Sequence, residues 1–374
     1  MLGSARMLAV YCQIAVLGVL AGHAGAQSSW ALPQKPWLEI RQYADTLQLA
    51  RPIGAAVLRD ESVIVADEGL LAVMRFSRDG KPLSSFGRRG SGPREFQTMV
   101  WMGECERGRY FVRDASQARI AVVDSLGNFV TTMSGTYVGE PVASPYHSTC
   151  APSGLLAFVA WPKQRPPAEP GPHRGTAVVA ASRARGARQF SLGEFAGPER
   201  YRHSRSDGPR PLGNTLEIAV SGRNVFVGST DSLSIAVFDD TGRRVGTIRR
   251  SGAARPLTKA LIAAFIEDAT AHLVDPGRRL QARAGYEALK YPSMAPAFSR
   301  LLADDVGRLW IEEFAFSVDV VKRLWCYGVE GQLVGTLTIP AAFHPFDITR
   351  RHIVGRWTDD DGSESIRAYR WLGM

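Results

Sequence analysis

Short apolar runs alternate along this chain with tight polar turns that end in glycine. One such unit spans residues 73–80 and ends at Gly80, and similar units recur at 120–127, 235–242 and 324–331. The apolar runs are rich in β-branched and aromatic residues, which favour strands, and the Asp, Ser and Gly residues between them favour hairpin turns. A hairpin that recurs at a period of about 45 residues predicts a β-propeller, in which each repeat forms one small sheet.

The first two repeats are the clearest. In both, an aspartate (Asp67 or Asp114) stands at the same distance before the turn glycine. The spacing of the glycines fits five repeats between residues 53 and 340, and the tail supplies three strand-like runs for a sixth. The segment 38–49 can supply the strand that the tail lacks. We therefore predict an all-β fold, a six-bladed β-propeller closed by N- and C-terminal strands in one blade, which leaves no strand edge exposed.

Residues 257–290 break the strand pattern and predict a helical hairpin inserted between two repeats. Thr258 can cap a first helix, and Asp275 followed by Pro276 is typical of the start of a second helix. The apolar residues after Thr258 recur at helical spacing. Two other stretches, proline-rich 162–174 and arginine-rich 198–212, predict irregular loops that project from the blades.

The N-terminal residues predict a secretory signal. Arg6 precedes an apolar stretch at 7–20, and the small residues at 24–26 form a cleavage pattern. A core helix is the alternative interpretation of the same residues. We expect a signal peptide at 1–26 and one propeller domain at 27–374, in a protein that is periplasmic or secreted. No later segment has 18 uninterrupted apolar residues, so we expect no transmembrane helix.

Composition limits the class of binding partner more than it limits the kind of reaction. The chain has 374 residues, a hydrophobic share of 45% and a formal net charge of +9, which is modest for this length and spread along the sequence. Such a charge raises affinity for anionic surfaces in general. It does not indicate nucleic-acid binding, and we expect a monomer whose partner is a protein or a small-molecule ligand of the cell envelope.

Two cysteines occupy similar points in successive repeats. Cys105 and Cys150 each come just before a turn, and equivalent strands of adjacent blades are neighbours. Export permits a disulfide between them, although two buried thiols would also satisfy the pattern. Cys326 lies in an apolar strand and is interpreted as an inert core thiol.

Several segments resemble the NHL-type propellers. Residues 87–96 resemble the glycine-rich connector of that family, and 114–120 resemble its strand-start motif, with Gln117 in place of the usual Asn. The segments 296–310 and 365–369 are similar to exported bacterial six-bladed propellers of this group. The resemblance covers nearly all of the mature chain and is strongest in the first, second and fifth repeats. It implies a six-bladed propeller in an extracytoplasmic setting, and it implies no catalytic residue.

Motifs for common enzyme chemistry are missing from the sequence. There is no G-x-S-x-G elbow and no H-E-x-x-H zinc motif, and the histidines of the mature chain do not stand at metal-ligand spacing. The glycine loop at 87–92 opens no helix, so it is interpreted as a tight connector between blades. We predict no cofactor, no metal site and no catalytic residue, although a propeller can gather distant side chains around its axis.

The irregular stretches offer the candidate binding residues. Arg200, Arg202 and His203 lie in the arginine-rich stretch, and Trp161 ends a strand of the same repeat. Exposed loops kept soluble by charge, and a tryptophan in the core, are the alternative interpretations. The sequence therefore predicts an extracytoplasmic ligand- or protein-binding propeller without catalytic activity. The alternative is a metal-dependent hydrolase or lyase whose site lies in an axial pocket.

Overall fold

Antiparallel strands make up almost all of the regular structure, and two helices interrupt them. A computed structural model of the chain describes residues 28–44, 47–135, 146–161, 167–183, 189–204, 206–252 and 254–371. The signal segment predicted at 1–26 lies outside these residues. The described chain begins with four short strands, β1 (Ser28–Ala31), β2 (Leu38–Ile40), β3 (Gln42–Ala44) and β4 (Leu47–Gln48).

Four sheets follow, each built from consecutive strands. The first contains β5 (Pro52–Val57), β6 (Val63–Asp67), β7 (Ala72–Phe76) and β8 (Pro82–Phe86). The second contains β9 (Met99–Glu106), β10 (Arg109–Asp114), β11 (Arg119–Asp124) and β12 (Phe129–Ser134). The third contains β13 (His147–Cys150), β14 (Leu155–Ala160), β15 (Gly171–Arg183), β16 (Phe190–Arg202) and β17 (Asp207–Pro209). The fourth contains β18 (Leu216–Ser221), β19 (Asn224–Ser229), β20 (Leu233–Phe238) and β21 (Arg244–Arg250).

The last two sheets combine strands from both ends of the chain. The fifth contains β22 (Arg300–Ala303), β23 (Leu309–Glu312), β24 (Val321–Tyr327) and β25 (Leu333–Pro340), and β1 pairs in parallel with β25. The sixth contains β26 (Phe343–Ile348), β27 (His352–Thr358) and β28 (Glu364–Arg370). Its fourth strand is β2, which pairs antiparallel with β28 so that Leu38 lies opposite Ala368. β3 and β4 form a separate hairpin.

The sheets pack face to face around a common line. The first strand of each sheet contacts the first strand of the next, in the order β5, β9, β13, β18, β22 and β26, and β26 contacts β5. Because both faces of a sheet are covered in this arrangement, the middle strands are largely buried. In β14, for example, every residue is buried. The packing confirms the prediction of an all-β propeller.

The core is divided among the spaces between neighbouring sheets. Ile64 and Val73 of the first sheet share one apolar cluster with Val112 of the second. Trp310 of the fifth sheet and Trp371, which follows β28, pack with their ring centroids 5.4 Å apart in the cluster that joins the fifth and sixth sheets. Each sheet is therefore held by its neighbours rather than by a single central core.

The repeated aspartates, Asp67 and Asp114, each connect two loops of their own sheet, at the end where its first strand begins. Asp67 and Asp114 are fully buried at the ends of β6 and β10. The backbone N–H groups that donate to Asp67 are those of Ala50, Arg51 and Leu70, at 2.9, 3.1 and 3.0 Å. Those that donate to Asp114 are in Gln97, Thr98 and Gln117. One carboxylate thus joins the loop before the first strand to the turn after the second.

The third sheet corrects the prediction of irregular loops. β15 and β16 each span 13 residues, and they pair through parts of the proline-rich and arginine-rich stretches, with Pro172 opposite Tyr201. β14 pairs with residues 178–183 of β15 and not with the earlier residues of that strand. One side of the earlier part of β15 therefore forms no ladder. A proline, which lacks an N–H, is tolerated on such an edge. Residues 162–166 lie outside the described residues.

Two helices stand between β21 and β22. α1 spans Lys259–Ala271 with Thr258 as its N-cap, and α2 spans Pro276–Glu287 with Asp275 as its N-cap. The cap side chains accept hydrogen bonds from Leu261 N at 3.3 Å and from Arg278 N at 2.7 Å. Among the described residues, neither helix is both long enough and apolar enough to cross a bilayer.

A disulfide links the second and third sheets. The sulfur atoms of Cys105 and Cys150 are 2.08 Å apart, and the two residues lie on the neighbouring first strands β9 and β13. Cys326 is buried and unpaired.

We expect replacement of both Cys105 and Cys150 by alanine to lower the free energy of unfolding by roughly 4 kcal/mol, because the disulfide closes a long loop in the unfolded chain. The two residues are 45 positions apart. Denaturant unfolding of the oxidised protein and of the variant measures the difference, and reduced wild-type protein is the control. Mass spectrometry without reductant that found both thiols free would contradict the linkage.

Candidate functional site

The four candidate binding residues lie on the extended hairpin of the third sheet. The guanidinium of Arg200 lies 5.4 Å from the ring centroid of Trp161, and its Nε donates to Asp207 Oδ2 at 2.6 Å. His203 lies against Tyr201, with ring centroids 5.0 Å apart, and Arg202 follows Tyr201 on the same strand. The structure thus brings Trp161 and Arg200 together, and it commits the guanidinium of Arg200 to an ion pair within the chain.

A second group of polar residues gathers where the first strands begin. His147, Glu217, Arg300 and His344 each stand at or next to the first residue of β13, β18, β22 and β26. Because these strands are neighbours around the common line, their starting ends meet at one end of it. Glu312 and Lys322, on β23 and β24, lie at the same end. We refer to His147, Glu217, Arg300, Glu312, Lys322 and His344 as the axial cluster.

A buried ion pair anchors the axial cluster. Lys322 Nζ lies 2.9 Å from Glu312 Oε1, and both side chains are about 97% shielded from solvent, with 2% and 3% exposed. The same Nζ lies 3.3 Å from His344 Nδ1, so that ring nitrogen is the acceptor. Arg300 Nη1 lies 3.9 Å from Glu312 Oε2 and donates to the carbonyl of Pro345 at 3.0 Å. Burial raises the pKa of Glu312, but Lys322 and Arg300 outweigh it and leave that pKa below its usual value.

Two imidazoles in the axial cluster are held neutral at pH 7. Burial lowers the pKa of His147 to about 4, and the positive charge of Arg300 acts in the same direction. Burial together with Lys322 lowers the pKa of His344 to about 4. A neutral imidazole can accept a proton, so His147 is competent as a base, whereas Nδ1 of His344 already accepts from Lys322.

Glu217 is the carboxyl group whose protonation is balanced near neutral pH. Burial raises its pKa to about 7, although Thr215 Oγ1 donates to Glu217 Oε1 at 3.1 Å and Arg300 opposes the rise. A group with this pKa is present in both protonation states at pH 7, which suits a general acid or base. Glu217 and His147 are surrounded by enough protein to be strongly desolvated, yet each keeps some accessible surface.

The donor set does not fit a metal ion. In the ranges that the structure describes, no three His, Cys, Asp or Glu side chains are placed to hold one. The axial cluster also contains Arg300 and Lys322, and Lys322 already occupies the carboxylate of Glu312 and the ring nitrogen of His344. We therefore derive no step that involves a metal at this site.

The opposite end of the common line is acidic. Asp347, near the end of β26, has its pKa raised to about 7 by burial and by the neighbouring carboxylates of Glu104 and Asp305. The two ends of the propeller axis thus differ in charge, and the cationic groups gather at the end that holds Glu217 and His147.

No motif in the sequence predicts the axial cluster. His147 and His344 do not stand at metal-ligand spacing, and no sequence pattern connects the other members. A signal was present, because Glu217 and His344 interrupt the apolar strands β18 and β26 near their first residues. In a propeller these positions of different repeats come together, even though the residues are far apart in the chain.

Comparisons with known proteins give structural neighbours but no family. No protein-family description matches the sequence, and no curated protein matches it. Among solved structures, the chain is similar to a gluconolactonase from Xanthomonas campestris, with 14% identity, 87% of each chain covered and a TM-score of 0.47. It is similar to virginiamycin B lyase from Staphylococcus aureus, with 10% identity, 89% of this chain and 99% of that chain covered and a TM-score of 0.43. A putative exported protein from Bacteroides fragilis covers 92% of this chain and 99% of its own, with 10% identity and a TM-score of 0.48.

The prediction of a propeller without catalytic activity is wrong. The gluconolactonase and the virginiamycin B lyase share a fold with this chain, at 14% and 10% identity. The axial cluster favours the hydrolase or lyase alternative, because it holds a carboxyl group with a pKa of about 7 beside neutral imidazoles. Perturbed groups of this kind concentrate at catalytic sites.

Substitution of Lys322 by methionine should lower the free energy of unfolding by about 3 to 5 kcal/mol, because it leaves the buried carboxylate of Glu312 without its partner. The double variant Lys322→Met, Glu312→Gln should recover much of this loss. The control is Arg323→Met, which removes the partner of Glu313 in an exposed pair and should cost no more than about 1 kcal/mol. Denaturant unfolding measures all three, and equal losses in the two single variants would contradict the buried pair.

The low pKa values of His147 and His344 make stability dependent on pH. Between pH 6.5 and about 4 the unfolded chain binds protons that the folded chain refuses, so the free energy of unfolding falls as the pH is lowered through this window. We expect a loss of roughly 3 kcal/mol for each histidine. Urea unfolding at several pH values measures the slope. His147→Gln with His344→Gln should flatten it, whereas His272→Gln, at an exposed position, should leave it unchanged.

Proposed function

We propose that the protein is a hydrolase or lyase that acts on a small substrate by acid–base catalysis at the axial cluster. The observation that carries this proposal is the placement of Glu217 and His147. They lie on the neighbouring first strands β18 and β13, each at or next to the first residue of its strand. One carboxyl group that is half-protonated near pH 7 and one neutral imidazole supply the acid and the base that such a reaction needs.

The same residues serve either reaction. In hydrolysis, His147 accepts a proton from water, the water oxygen bonds to the substrate carbonyl carbon, and the leaving oxygen takes a proton from Glu217 as its bond to carbon breaks. In elimination, His147 accepts a proton from carbon beside a carbonyl, a carbon–carbon double bond forms, and Glu217 protonates the leaving group. In both cases negative charge develops on the carbonyl oxygen, and the positive charge of Arg300 stabilises it.

We also infer that the six sheets are the blades of a closed, six-bladed propeller. The pairing of β2 with β28, and the contact between β26 and β5, support closure through a blade that contains both ends of the chain. The axial site depends on it, since His147 and His344 belong to sheets on different sides of the ring. The signal-like segment 1–26, the NHL-like segments and the disulfide support an NHL-type protein exported from the cytoplasm.

Purified protein of residues 27–374, assayed against a panel of lactones, esters and β-substituted carboxylic acids, tests the proposed activity. Glu217→Gln should lower kcat/KM by about 100-fold or more on any substrate that is turned over, because the amide cannot transfer a proton. The limb of the pH–rate profile near pH 7 should vanish in the same variant. The control is Glu330→Gln in an exposed turn, with kcat/KM equal to that of the wild type. Full activity in a folded Glu217→Gln variant would refute the assignment.

A further inference from the structure

A cavity opens between the third and fourth sheets, at the end of the propeller opposite the axial cluster. Its volume is about 250 Å³, and it is lined by Ser153, Leu155, Arg183, Gly222, Arg223 and Asp240. Ser153 and Gly222 are in the turns that follow β13 and β18, and those strands begin at the axial cluster, so the turns lie at the other end. Pockets for drug-sized molecules have volumes of roughly 300 to 1,000 Å³, so this cavity suits a smaller ligand.

Two arginines from different sheets share one carboxylate in this cavity. Arg223, which precedes β19, donates from Nε to Asp240 Oδ2 and from Nη2 to Asp240 Oδ1, both at 2.9 Å. Arg183, the last residue of β15, donates from Nη2 to the same Oδ2 at 3.1 Å. The Asp240 side chain is 7% exposed, whereas those of Arg183 and Arg223 are 64% and 77% exposed. The carboxylate is thus the floor of the cavity, and both guanidiniums are accessible from solvent.

The second arginine is not needed to neutralise Asp240. Arg223 alone forms a two-pronged pair with that carboxylate, which is the strongest geometry for such a pair. Since Arg183 and Arg223 both donate to Asp240 Oδ2, their guanidiniums lie within about 6 Å of each other and repel. An anion that entered the cavity would remove this repulsion.

The acids next to the cavity are committed to other partners. Asp239 forms an ion pair with Arg243 at 3.2 Å. Glu106, whose backbone forms a bridge with that of Ser153, lies 3.7 Å from Arg109. The cavity therefore keeps one positive charge that these carboxylates do not balance.

We propose that this cavity binds a phosphate group, carried by a small phosphate ester or present as the free ion. The bonds to Asp240 leave Nη1 of Arg183 and of Arg223 without a partner among the described residues. A tetrahedral phosphate has oxygens on several sides, so it can accept from two guanidiniums that belong to different sheets. A carboxylate presents a single edge and carries less charge than a phosphate monoester. The site is separate from the axial cluster and does not depend on the proposed function.

Isothermal titration calorimetry with glycerol 3-phosphate, inorganic phosphate and acetate tests the site. Ionic strength is held constant, with chloride as the compensating ion. Both phosphates should bind at one saturable site, and acetate should bind at least tenfold more weakly. Tighter binding of glycerol 3-phosphate than of inorganic phosphate would assign the site to a phosphate ester, and the reverse order would assign it to the free ion. Arg183→Met and Arg223→Met should each weaken phosphate binding about tenfold or more, because each removes a charge-assisted donor.

The control is Arg323→Met, which removes another exposed, ion-paired arginine, on β24 at the opposite end of the propeller. Its Kd for phosphate should equal that of the wild type. Arg183→Lys keeps the charge and loses the planar donor group, so its affinity should lie between those of the wild type and Arg183→Met. Equal affinities in the wild type, Arg183→Met and Arg223→Met, or acetate binding as tight as phosphate binding, would overturn the assignment.

The axial cluster also contains cations that could attract a phosphate, namely Arg300 and Lys322. Arg300→Met, with its folding checked by circular dichroism, separates the two locations. Phosphate binding that persists in this variant supports the cavity between the third and fourth sheets. Binding that is lost in Arg300→Met and retained in Arg183→Met and Arg223→Met would place the phosphate at the axial cluster and reject the cavity. None of these readouts requires turnover, so they remain decisive whether or not the proposed function holds.

Discussion

Burial of both faces of every sheet against the neighbouring sheets is the constraint on which the rest of this structure depends. Strands such as β6 and β14 are buried at every position and expose neither face. A sheet of this kind is stable only between two others, so the sheets must follow one another around a line, with their first strands innermost. The starting ends of the first strands then come together, regardless of which residues they carry. The arrangement of the axial cluster is therefore a consequence of apolar packing, and only its chemistry is a property of the individual residues.

The charges at this meeting point are not explained by stability. Lys322 and Glu312 form an ion pair, but apolar residues of similar size in the same space would stabilise the fold at least as well. Glu217 is held at a pKa of about 7 by burial, and Nε and Nη2 of Arg113 have no hydrogen-bond partner among the described residues, so both side chains cost free energy in the folded state. Elsewhere in the described chain, buried carboxylates such as Asp67 and Asp114 stabilise the fold by accepting hydrogen bonds from backbone N–H groups. This contrast with Asp67 and Asp114 supports the proposed function of the axial cluster.

Much of the architecture could be predicted because it rests on local signals. The turn glycines and the apolar runs around them specify hairpins, and Asp67 and Asp114 repeat because each sheet needs the same connection between two loops. The two helix starts could be read from Thr258 and Asp275, since a capping side chain acts within its own turn. The sequence did not predict the long hairpin of β15 and β16. Its pairing, with Pro172 opposite Tyr201, depends on a free strand edge, and no local sequence pattern indicates such an edge. The parallel addition of β1 to β25 was missed for the same reason, since a short strand finds its partner only after the sheets have packed.

Local signals in the sequence could not predict the site. The packing of the sheets brings its members together, although they are far apart in the chain. Glu217 and His147 are on different sheets, and nothing near either residue in the sequence indicates the other. What the sequence does contain is a charged or ionisable residue at or next to the first residue of each of the strands β13, β18, β22 and β26. Taken singly, each is an ordinary strand end, where a polar side chain can reach water. Taken together in a propeller, they occupy one end of one axis, and their pKa values depend on each other through Arg300, whose charge acts on His147, Glu217, Glu312 and His344. The coupling of these groups through a single guanidinium makes the axial cluster one chemical unit rather than a set of neighbouring strand ends.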